Sequence, residues 1–109
     1  MRHFKFAPIA EESLDGIHDW TLVHFGPLKA QAYTSDLLER CFAVGEGTVV
    51  HQSCRAAFIA DMRDDLRFTR SGQHHVIFIE SGTEVLIVDF VHSKLDIVGR
   101  LERLKPAGH

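Results

Sequence analysis

The sequence predicts an α+β domain consisting of an N-terminal strand, an antiparallel helical hairpin, a three-stranded antiparallel meander and a short C-terminal helix. Three observations carry that reading. Apolar residues recur at helical spacing through two stretches separated by Gly26-Pro27. Val76-Ile77-Phe78-Ile79 and Val85-Leu86-Ile87-Val88 are apolar on both strand faces, and Ser-Gly pairs punctuate the region around them. With 45% hydrophobic and 25% charged residues the chain has the balance of one domain around one core, and no repeat or Ser/Pro-rich linker divides residues 1–109.

The elements follow in order. Phe4 and Phe6 alternate with Lys5, which predicts an edge strand over residues 2–7, ended by Pro8 because proline cannot donate to a ladder. From Pro8 to Phe25, Leu14, Ile17, Trp20 or Thr21, and Phe25 stand at helical spacing, with acids in the first turns where the helix dipole favours them. Gly26-Pro27 stops this helix. A second runs from Leu28 to about Val44 through Tyr33, Leu37, Leu38, Cys41 and Phe42, and Gly45-Glu46-Gly47 ends it. So short a turn makes the two helices an antiparallel hairpin. Residues 48–62 show no clear periodicity. Leu66–Ser71, His75–Ile79 and Glu84–Val91 read as the meander, and Lys94–Lys105, with Leu95, Val98, Leu101 and Leu104, has the spacing of a closing helix.

Composition excludes several functions. Twelve basic and fifteen acidic residues give a net charge of −3, so the overall field does not gather polyanions. Glu11, Glu12, Asp15 and Asp19 stand without a base, whereas Arg55, Arg63, Arg67 and Arg70 fall mid-chain. No stretch has the pattern of a secretory leader or the roughly eighteen apolar residues of a membrane span, so a cytoplasmic location is expected, with Cys41 and Cys54 as reduced, inert thiols. No cofactor is expected, since P-loop, GxGxxG and GxSxG motifs are absent. The eight histidines show neither HxH nor HxxxH spacing, so no metal site is expected either.

The candidate site residues lie on the meander. Arg67 and Arg70 fall on opposite faces of one strand by its period of two, and either can offer a bidentate clamp to a target or to acidic groups of a partner. A three-residue loop Ser81-Gly82-Thr83 places His75 opposite Asp89; a two-residue Ser81-Gly82 loop substitutes His74. The pair reads as a structural ion pair in preference to a catalytic base with its orienting carboxylate. His92 with Asp96 closes the last strand, again with the structural reading preferred. Trp20 and Tyr33 are expected to pack between the helices rather than form a recognition surface.

The order of elements is similar to the RelE/ParE toxin fold. Pro8-Ile9-Ala10, Leu14-Asp15, Ile17, Asp19-Trp20-Thr21 and Phe25-Gly26 resemble that family's first helix, and Gln31-Ala32-Tyr33 with Leu37-Leu38 its second. Leu66-Arg67, Gly72, His75-Val76-Ile77-Phe78 and Val91-His92 with Asp96 resemble the sheet of the ParE-like branch. Ile79 stands where the family often has tyrosine, and Asp89 where ParE-like strands often carry arginine. The resemblance implies the toxin of a type II toxin–antitoxin pair that binds DNA gyrase without catalytic residues of its own. It also implies neutralisation by a cognate antitoxin that folds onto the hairpin and sheet, with DNA contacted only through the antitoxin complex. A second reading is a ribosome-dependent mRNA endoribonuclease using Arg67 or Arg70 for phosphate charge and His75 or His92 as acid or base. The lack of lysine between Lys29 and Lys94 argues against it. A third is a non-toxic antitoxin-binding or co-repressor module.

Overall fold

The computed structural model describes residues 3–48, 51–54 and 65–92. Their order is β1 (His3–Phe6), α1 (Pro8–Phe25), α2 (Pro27–Glu46), β2 (Gln52–Ser53), β3 (Leu66–Ser71), β4 (His74–Ser81) and β5 (Glu84–His92). The expected closing helix over residues 94–105, together with Asp96, lies outside the described residues.

The boundaries follow from local chemistry. The Ala7 amide still donates to the Ile87 carbonyl, but Pro8 has no N–H to continue that ladder and instead occupies the first turn of α1, where a donor is not needed. Pro27 repeats the device at the start of α2. At the far end of α2, the Gly47 amide donates to the Val44 carbonyl and the Thr48 amide to that of Ala43, closing the helix with a Schellman pattern.

The strands form one mixed sheet in the order β1-β5-β4-β3-β2. β3, β4 and β5 are the expected antiparallel meander, whereas β1 lies at the edge, parallel to β5. Each meander turn has two residues, Gly72-Gln73 and Gly82-Thr83, with glycine first at positive φ, as the primed turns that match strand twist require.

The hairpin covers one face of the sheet. Inward residues of α1 and α2 (Ala10, Leu37, Cys41, Val44) meet Val76, Phe78, Val85, Ile87 and Phe90 in one buried cluster. Cys54, Leu66, Phe68, Ile77, Val88 and Val91 form a second cluster on the opposite face, which is why β4 and β5 are apolar on both. Each valine, leucine, isoleucine or phenylalanine among them, fully buried, contributes about 1.5–3 kcal/mol.

Two expectations are corrected. The inward stripe of α1 is Ala10, Leu14, Ile17 and Thr21, so Trp20, one residue and about 100° away, points outward. Thr21 is tolerated inside because its hydroxyl donates to the Ile17 carbonyl at 2.7 Å. Trp20 therefore packs on its own helix, its ring stacked on His24 at 4.1 Å, rather than between the helices. Secondly, His75 does not oppose Asp89. The turn has two residues, with Ser81 opposite Glu84, and a bulge at Val88 shifts the register, so Asp89 faces Ile77, His75 faces Val91 and His74 faces His92.

Candidate functional site

A group of polar side chains gathers at the β3–β4 turn of the sheet. Tyr33, expected to pack between the helices, instead lays its ring from the inner side of α2 over Gly72, where an added Cβ would come within 2.8 Å of it. The Gln73 amide donates to the Tyr33 hydroxyl at 2.9 Å, and the hydroxyl lies 2.6 Å from Nδ1 of His74. His74 in turn meets the His92 ring edge-on at 5.3 Å. Burial, with the neighbouring His92 and His75, pushes the pKa of His74 down to about 4, so at neutral pH its ring is uncharged. With its proton on Nε2, Nδ1 accepts from the Tyr33 hydroxyl, which itself accepts from the Gln73 amide. Beside it, a cleft of about 420 Å³ opens between α2 and the end of β3, lined by Tyr33, Asp36, Glu39, Arg40 and Ser71 among others.

This arrangement predicts a pH dependence. An unfolded His74 takes up a proton near its ordinary pKa of 6.5, whereas the folded ring refuses it until about pH 4. Stability is therefore intact above pH 6.5 and falls as the pH is lowered through that window, and His75, also depressed by burial and then by Arg70, adds in the same direction. Allowing for the partial exposure of His74, its share of the loss is about 1–2 kcal/mol. Urea midpoints at about pH 7 and pH 4.5 check this: His74→Gln should show a shallower decline than the parent, and identical slopes would contradict it.

The sequence-derived candidates separate across the sheet. Arg67 is half-buried on β3, opposite Ser53 and Phe78. Its charge partly offsets the burial that raises the Cys54 thiol to about 12. Cys41 is raised to about 12 by burial alone, so both thiols stay protonated at neutral pH. Arg70 is exposed and donates from Nε to the Gly72 carbonyl at 2.9 Å. It lies opposite His75, whose ring meets Phe68 edge-on at 5.1 Å on the second core's face. His92 shares the hairpin face with His74, while Arg67 is across from Phe78, four residues and roughly 13 Å farther along β4. Thus Arg70 and His75 come together on one face, and Arg67 and His92 lie apart on the other.

Asp89 has a separate structural task. It is 1% exposed, and its Oδ1 accepts from the Ser13 hydroxyl at 2.6 Å and from the Phe90 amide at 2.8 Å. These bonds pin α1 to the bulge of β5. The Tyr33–His74 contact, the central link of the turn network, was invisible in the sequence because its members are 41 residues apart. The adjacent His74-His75 beside Gly72 was its one local trace. Among the described residues no group of three or more His, Cys, Asp or Glu could hold a metal ion, and no helix is long and apolar enough to cross a membrane.

Residues 4–97 match the family described as the ParE toxin of the type II toxin–antitoxin system, parDE. The chain belongs to the ParE toxin family. A solved structure titled "Chromosomal ParDE TA system from P. aeruginosa" has the same ParE-like fold, with a TM-score of 0.67 and 21% identity over 86% of this chain and 98% of that one. No curated protein sequence matches. The ParE-like fold thus accounts for the hairpin laid across a sheet whose meander carries the candidate residues.

Proposed function

We propose that this ParE-family chain arrests growth in the cytoplasm by binding DNA gyrase, and that a cognate antitoxin holds it inactive. The family match over residues 4–97 carries the reading. The geometry supports a binding role over nucleic-acid cleavage, because only one candidate cation meets a candidate histidine, and burial keeps that histidine's pKa low. Arg70 stands beside a histidine depressed by burial, and Arg67 and His92 are separated along the sheet. Arg70, exposed at the β3–β4 turn, and Arg40, which lines the α2–β3 cleft, are the cations placed to meet an acidic group of the antitoxin or target.

Purified protein is expected to block gyrase supercoiling, with cognate antitoxin restoring it, and induced expression to provoke a DNA-damage response. Undisturbed supercoiling accompanied by codon-specific mRNA cleavage would overturn this in favour of the ribonuclease, and normal growth in favour of a non-toxic co-repressor.

A further inference from the structure

The tip of the helical hairpin is apolar and open. Trp20, Val23, Phe25 and Leu28 are 56%, 80%, 58% and 81% exposed, and they cluster around the Gly26-Pro27 turn, with Trp20 and Phe25 in ring contact at 5.8 Å. Isolated exposed apolar residues are ordinary, but four large ones at one turn form a patch of the kind that marks an interaction site.

Charge says what fits it. On α1, Glu12, Asp15, Asp19 and Val23 follow one another at three- and four-residue spacing, on the face opposite the inward-facing Ala10, Leu14, Ile17 and Thr21. The helix contains neither lysine nor arginine. A row of exposed carboxylates therefore runs along the outside of α1 straight into the apolar tip. We infer that this surface docks a basic amphipathic helix of a second protein chain, its apolar face on Trp20, Val23, Phe25 and Leu28 and its lysines or arginines along Glu12, Asp15 and Asp19. A second copy of this chain offers from the equivalent surface only Lys29, beside Leu28, against a whole row of its own carboxylates, and an anionic lipid surface is repelled by those carboxylates. The inference holds whichever cellular target is inhibited.

Trp20 is the only tryptophan, so its emission reports on the patch itself. The probe is a synthetic amphipathic Leu/Lys helix matching the 18 residues of α1, with a Leu/Glu peptide of equal length as control. The Leu/Lys peptide should shift Trp20 emission to the blue saturably, and the Leu/Glu peptide should not. Val23→Asp and Leu28→Asp, both at exposed sites, should each weaken binding about tenfold although they add negative charge. Unanchored attraction to an acidic protein predicts the reverse, so equal or tighter binding by these variants overturns the proposal. So do a missing shift, equal binding of both peptides, or a shift produced only by raising the protein's own concentration or by phosphatidylglycerol vesicles.

Discussion

Replacing Asp89 with alanine should lower the stability of the fold by about 2–4 kcal/mol, read as a drop in urea midpoint at unchanged slope. The carboxylate is 1% exposed and accepts from two donors, the Ser13 hydroxyl and the Phe90 amide. Alanine leaves both without that acceptor, at about 1–3 kcal/mol for each buried group. Asp89→Asn keeps one oxygen in place and should cost roughly half as much; Ser13→Ala removes a single bond and should cost about 1 kcal/mol. If Asp89→Ala lies within about 0.5 kcal/mol of the parent, the carboxylate does not hold α1 to the sheet.

Asp89 also shows where sequence reading reaches its limit. Proline and glycine act locally, so Pro8, Gly26-Pro27 and Gly45-Glu46-Gly47 placed the helix ends within a few residues of Pro8–Phe25 and Pro27–Glu46. Two-sided apolar runs located β4 and β5 because burial on both faces is a property of the strand itself. Register is different. It depends on every residue between the turn and the pair, and a two-residue turn with one bulge at Val88 moved His75 from Asp89 to Val91. Trp20 failed for a related reason: a helical stripe constrains direction only to about one residue, and Thr21 can satisfy its own hydroxyl and take the inward place. The turn cluster of Tyr33, His74 and His92 joins three distant segments, so it becomes visible only after register and helix packing are known.

Gly72→Val is expected to cost about 2–4 kcal/mol, for two separable reasons. The residue has φ +61°, a conformation that a β-branched side chain adopts only under strain. Its new Cβ would also lie 2.8 Å from Tyr33 Cε1 and 3.0 Å from the hydroxyl, so the ring must leave its place. Displacing the ring breaks its bonds to the Gln73 amide and to His74. Gly72→Asn tolerates the left-handed backbone better but meets the same ring, and should still cost about 1 kcal/mol or more. Combining Gly72→Val with Tyr33→Ala removes the collision and leaves the backbone strain, so the double variant should be less destabilised than the sum of the singles by about 1 kcal/mol. Additivity within about 0.5 kcal/mol would mean that Tyr33 does not press on the turn. In the folded single variant the freed His74 should titrate closer to its ordinary 6.5 than to about 4, because the ring that helps keep it from water has moved. An NMR titration separates this local release from general unfolding.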